Sequence, residues 1–198
     1  SADFDRGGHP DPGYSGRSSL TMMFARESVR LCGLYLERCY RDGADSEARV
    51  GMAYASYYAA LSYGSAGLNA VHGTAYAVAG VTHKSHGSTN AVMLPYVLDA
   101  LRETRPAELI DTGRLFGLTG DDASVLRETP RRMRELVASL GIPSDLASFG
   151  IAREEIDGLV EDALAVVRLA KAFPVADVPG SYRRIIEAAW HGRLAADG

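Results

Sequence analysis

The sequence predicts an all-α protein, a multi-helix bundle. Three observations carry this prediction. Apolar residues recur at helical spacing along most of the 198 residues. Cap and breaker residues divide those stretches at helix-length intervals. No segment shows a convincing strand alternation, and no internal repeat is found.

The elements follow in chain order. Residues 1–18, SADFDRGGHPDPGYSGRS, are rich in Gly, Pro, Asp and Ser and predict a flexible arm or loop. Residues 19–198 predict a single helical domain. A serine cap, Ser18 or Ser19, opens a first helix that runs to Tyr40. Met23, Phe24, Glu27, Leu31, Leu34 and Tyr35 give it a mostly apolar stripe, and Gly33 marks a weak point or a close-packing point. Asp45 caps a second helix over 46–67. Its face of Ala53, Tyr57, Ala60, Leu61 and Gly64 is expected to pack among other helices. Tyr54, Tyr57, Tyr58 and Tyr63 are read as packing residues rather than a base-stacking platform, since no basic groove accompanies them.

A short helix follows, from about Asn69 to Val81, and Thr82 to Ser85 make a connection. The next helix starts at His86 and contains Pro95, whose ring removes one backbone hydrogen bond and predicts a kink. Residues 107–118 form a short helix. Residues 121–141 form another, expected to split at Pro130. Residues 142–151 read as a loop and Ile151–Lys171 as a helix. FPVADVPG breaks the pattern, and residues 181–194 close the chain with an amphipathic helix carrying Ile185, Ile186, Ala189 and Trp190.

Composition narrows the function classes. The formal net charge is −4, with acids and bases interspersed, so no nucleic-acid or acidic-membrane surface is implied. No apolar run reaches the length of a membrane span. No signal peptide is read at Ser1, and the Ser-Ala start implies a missing or replaced native N-terminus. Cys32 and Cys39 lie seven apart in one predicted helix, roughly 10 Å of rise, too far for a disulfide. Reduced thiols in a cytoplasmic protein are the expectation.

Chemistry concentrates between Gly67 and Asp99, which hold three of the five histidines. His72 and Tyr76 are four apart and share a helix face. His86 follows fourteen residues after His72, at the start of the next helix. Two imidazoles from two helices are suited to sharing one metal ion. His83 is read as solvated or cleft-lining, Lys84 and Asn90 as structural, and His191 as a surface residue.

The pattern His72-Gly73-x-x-Tyr76, then His86-Gly87-x-x-Asn90-Ala91-x-x-Leu94-Pro95-x-Val97, resembles the iron-containing alcohol dehydrogenase family, of dehydroquinate-synthase-like fold. The resemblance runs from about Tyr14 to Trp190 and covers only the family's C-terminal helical half. It implies a divalent metal, Fe(II), Zn(II) or Ni(II), held by His72 and His86. It further implies NAD(P), bound through an N-terminal nucleotide-binding domain, and a small alcohol, aldehyde or hydroxyacid substrate. Tyr76 stands where many members have a second histidine near nicotinamide and substrate, and it is the candidate catalytic residue. The hydroxyacid–oxoacid transhydrogenase branch resembles this chain in having Tyr there.

The family's other two ligands form an Asp-x-x-x-His pair on a helix. Asp5 and His9 have that spacing, but Gly7, Gly8 and Pro10 oppose a helix, so they read as part of a surface loop. The reading is thus the metal-binding half of an oxidoreductase: a fragment, or one chain of a split enzyme. The alternatives are a stand-alone helical interaction module and a metal-independent enzyme similar to maleylacetate reductase. Self-association is an open expectation.

Overall fold

The computed structural model describes residues 16–197. Asp5, His9 and most of the N-terminal arm therefore lie outside the described residues. Ten α-helices follow one another without a strand among the described residues: α1 Ser19–Arg41, α2 Ser46–Ala66, α3 Ala70–Thr82, α4 His86–Ala100, α5 Pro106–Leu115, α6 Asp122–Ser139, α7 Leu146–Phe149, α8 Ile156–Ala165, α9 Val167–Lys171 and α10 Val178–His191. The all-α expectation holds.

Local chemistry sets the helix starts. Ser18 caps α1 in a reciprocal box with Thr21. Asp45 caps α2 through the Ala48 N–H, and Ser85 caps α4 through the Ser88 N–H. Gly67, at φ 74°, ends α2 in a conformation open to glycine.

The core lies where α3, α4, α8 and α10 meet. Val78 of α3, Val92, Met93 and Val97 of α4, Leu159 of α8, and Tyr182 and Ile186 of α10 are all buried there. Each such side chain contributes about 1.5–3 kcal/mol by leaving water. Helices α5 and α6 pack on one another, and α6 on α4. Thr129 ties the pair together, its hydroxyl donating to the Leu109 carbonyl at 3.2 Å and to the Val125 carbonyl at 2.8 Å.

Helices α1 and α2 form a long antiparallel hairpin that joins the body through contacts of α1 with α5. Its orientation differs from expectation. Met23 and Leu34, in the expected stripe of α1, are 57% and 49% exposed, and Leu31 is buried. The expected inner face of α2 looks outward: Ala53, Tyr57, Ala60, Leu61 and Gly64 all keep contact with solvent. The buried side is small instead: Ala48, Gly51, Ala55, Ser62 and Ala66. Close approach of α1 explains this, since a methyl group on Gly51 would overlap the Tyr35 ring.

Four element boundaries also differ. Helix α6 runs through Pro130 without a split, because Thr129, Pro130 and Met133 are buried together and packing outweighs one missing bond. Residues 142–151 contain the one-turn α7, capped by Asp145 through the Ser148 N–H and held by buried Leu146 and Phe149. The stretch 151–171 is three pieces: a 3-10 turn at Arg153–Glu155, then α8, then α9 after a break at Val166. Helix α10 starts at Val178, where Asp177 caps it and Pro179 occupies the first turn, a position that needs no N–H.

No helix among the described residues is long and apolar enough to cross a membrane. Cys32 and Cys39 are both free.

Candidate metal centre

Helix α3 presents His72 and, one turn later, Tyr76. Helix α4 presents His86 as its first residue. The three rings gather into one cluster. The His72 and His86 centroids are 5.2 Å apart, those of Tyr76 and His86 are 5.5 Å apart and nearly parallel, and those of His72 and Tyr76 are 6.2 Å apart, edge to face. His72 is half-buried, His86 is exposed, and Tyr76 is 41% exposed. The cluster thus opens to the surface with its back against the core.

The chain around it explains this placement. Ala70, Gly73, Thr74, Ala77 and Val78 turn the other side of α3 into the core. Thr89, Val92 and Met93 do the same for α4. Thr82 and His83 reverse the chain between the helices, His83 ending α3 in the left-handed region at φ 53°. The solvated placement expected for His83 fits its position in this turn, where it keeps contact with solvent.

Electrostatics favour neutral imidazole. Burial pushes the His72 pKa down, and the nearby His86 and Arg168 push it further down. Neutral imidazole is the form that ligates a metal. Asn90 lies one turn after His86. Its amide donates to the His86 carbonyl at 2.8 Å and sits 3.2 Å from each His86 ring nitrogen. Its Oδ1 is buried without a hydrogen-bond partner.

The donor set fits a metal in part. Two imidazoles face a shared space, but among the described residues no group of three or more His, Cys, Asp or Glu side chains comes together. Two imidazoles alone are fewer donors than a metal centre uses. Two neighbours were not legible as such in the sequence. Arg168 comes to the site from α9, a helix that the sequence joins to α8. Lys84, read as structural, reaches the Phe149 carbonyl and ring. His191 lies apart from the cluster, exposed, its ring against Trp190.

A sequence model of the Fe-containing alcohol dehydrogenase family, C-terminal part, matches residues 14–178. The chain belongs to that family. Long-chain-alcohol dehydrogenase 1 of Geobacillus thermodenitrificans (strain NG80-2) is 34% identical over 173 residues, 84% of this chain and 43% of that protein. The mitochondrial hydroxyacid-oxoacid transhydrogenase of Rattus norvegicus is 26% identical over 193 residues, 89% of this chain and 41% of that protein. The chain therefore spans less than half the length of these relatives. In structure it is similar to a 1,3-propanediol oxidoreductase, with a TM-score of 0.83 at 25% identity, over 88% of this chain and 46% of that one. The iron-containing alcohol dehydrogenase resemblance read in the histidine motif, confined to the helical C-terminal part, agrees with these findings.

Proposed function

We propose that residues 19–198 are the helical metal-binding domain of a metal-dependent, NAD(P)-linked oxidoreductase acting on a small alcohol, aldehyde or hydroxyacid. One observation carries the reading: two imidazoles and a phenol from separate turns of α3 and α4 converge within 5.2–6.2 Å of one another inside the family-matched region. His72 and His86 would hold Fe(II), Zn(II) or Ni(II) from the helical side. When bound, the metal would polarise a carbonyl or alkoxide oxygen as a Lewis acid.

The chain's own groups have defined tasks in this reading. His72, kept neutral by burial, is ready to ligate without first losing a proton. Tyr76 would donate its hydroxyl hydrogen bond to a substrate oxygen beside the metal, orienting it. It is a poorer proton shuttle near neutrality than the histidine many members carry there. NAD(P) would be bound by an N-terminal nucleotide-binding domain outside these residues, and that domain would close the cleft. The exposed ring of Tyr76, in the cluster itself, supports a covered surface here in the assembled enzyme. A cytoplasmic placement belongs to this proposal.

The test is calorimetry. Fe(II), Zn(II) or Ni(II) is titrated anaerobically into the chain, then into His72→Ala and His86→Ala. One site lost in both variants supports the two-histidine half-site. Binding that survives both substitutions, or no binding at all, contradicts a preformed half-site.

A further inference from the structure

We propose that Lys84 is a positioning residue: it ties the turn between α3 and α4 to the end of α7 and so holds His86 opposite His72. What the two rings hold rests on the metal reading above. Their placement by Lys84 does not.

The turn from Thr82 to Ser85 joins α3, which carries His72 and Tyr76 in its first two turns, to α4, which carries His86 as its first residue. Gly80 lies near the end of α3 and Gly87 near the start of α4. A methyl group on either would meet nothing within 4 Å. Gly87 and His86 are exposed, and on α4 burial begins at Thr89. Core packing therefore fixes α3 and α4 from Thr89 onward but leaves His86 and Gly87 at the surface.

Local bonds shape the turn, among them that of Thr82, whose hydroxyl donates to the Val78 carbonyl at 2.7 Å and accepts from the Lys84 N–H at 3.4 Å. His83 adopts φ 53°, and among the described residues it is the only non-glycine residue at positive φ. Such a conformation persists when its surroundings hold it. Its N–H closes α3 on the Ala79 carbonyl at 2.8 Å. Ser85 caps α4 through the Ser88 N–H. These bonds are local and move with the turn. The side-chain bond of Lys84 reaches outside it. The Lys84 Nζ donates to the carbonyl of Phe149, 65 residues away, and lies 3.9 Å from the centre of the Phe149 ring.

That anchor is rigid. The Phe149 side chain is buried in the core, as is Leu146 of the same turn, and Gly150 turns the chain at φ 104° directly after it. The ammonium gains a carbonyl acceptor and the face of an aromatic ring at once. His86 is two residues from this anchor, so the tether limits how far its backbone can move from α3, while Tyr76 and the Asn90 amide lie against the ring itself.

The experiment uses the metal-free chain with labelled histidines. It reads the nuclear Overhauser contact between the His72 and His86 rings, and amide exchange over residues 85–89. In Lys84→Met the stem still covers Phe149, but the donor and charge are gone. The inter-helix ring contact is expected to weaken, and exchange over 85–89 to speed up about tenfold. The His72–Tyr76 contact within α3 and the melting temperature should hold. Lys84→Arg, which keeps both donor and charge, should restore the contact. An unchanged His72–His86 contact in Lys84→Met overturns the proposal. So does loss of the α3-internal contact along with it, which would mark general destabilisation. Zinc titration of the same proteins keeps the two readings apart. Affinity about 10–100-fold lower in Lys84→Met joins them. A tether effect in a wild-type chain that binds no zinc leaves this proposal standing and removes the metal reading.

Discussion

A methyl group placed on Gly73 would come within 2.9 Å of the Tyr182 hydroxyl, so α3 and α10 touch directly behind His72. Tyr182 has no room to retreat. It is 0% exposed, with its ring packed edge to face against Phe173. Gly73→Ala is therefore expected to cost about 1–3 kcal/mol through overpacking. This runs against the roughly 1 kcal/mol that alanine gains over glycine inside a helix. Urea denaturation measures the balance, and a Gly73→Ala variant more stable than the wild type by the full helix-propensity gain of about 1 kcal/mol would contradict the close approach.

Two buried tyrosines should respond oppositely to loss of their hydroxyls. The Tyr182 hydroxyl is buried without a hydrogen-bond partner, whereas the Tyr96 hydroxyl donates to the Ser144 carbonyl. Tyr182→Phe is expected to be neutral or stabilising by up to about 1 kcal/mol, and Tyr96→Phe to cost about 1–2 kcal/mol. Equilibrium unfolding of both variants gives the two signs.

Alkaline pH should destabilise the fold through the same pair. Burial pushes the Tyr96 pKa up from 10.0 to about 12, despite the opposing charge of Arg134, and burial pushes Tyr182 up as well. Between the two values the unfolded chain has released protons that the folded chain keeps. The stabilising contribution is thus complete below the unfolded value near 10 and is lost as pH rises toward the folded one. Melting temperatures measured from about pH 9 to about pH 12 should fall in that window, less steeply in Tyr96→Phe. A flat profile would show that these phenols are not desolvated.

Two glycines of the hairpin make a matched pair. A methyl group on Gly33 would sit 2.6 Å from the Leu115 carbonyl oxygen of α5, while one on Gly64 would meet nothing within 4 Å. Gly33→Ala must push α1 off α5 and should cost about 1–3 kcal/mol. Gly64→Ala should stabilise by up to about 1 kcal/mol through helix propensity alone. Thermal unfolding of the two variants checks both signs, and equal effects would contradict the α1–α5 contact.

The starts of α1 and α2 were legible because they are local: Ser18 and Asp45 each cap through a bond three residues long. The facing of α2 was not. No Asp, Glu, Lys or Arg occurs from Val50 to His83, so the pattern does not mark an outer side. What decides it is Tyr35 of α1 lying against Gly51, a contact between elements. The break at Val166 was hidden for a similar reason, since neither Gly nor Pro marks it. Pro130 misled in the opposite direction, because its burial carries α6 through. Within the candidate site, the spacing of His72, Tyr76 and His86 was enough to expect one cluster. Lys84 on Phe149 and Arg168 near His72 join residues far apart in sequence, and spacing carries no record of them.

Whether His72 and His86 share one metal ion, as proposed, is tested by counting its ligands. X-ray absorption on the zinc-loaded chain should show two imidazoles, with Zn–N distances of about 2.0–2.1 Å. That two-imidazole signal should be lost in His72→Ala and in His86→Ala, neither of which is expected to hold zinc at this site. Two imidazoles retained in either variant would contradict the assignment.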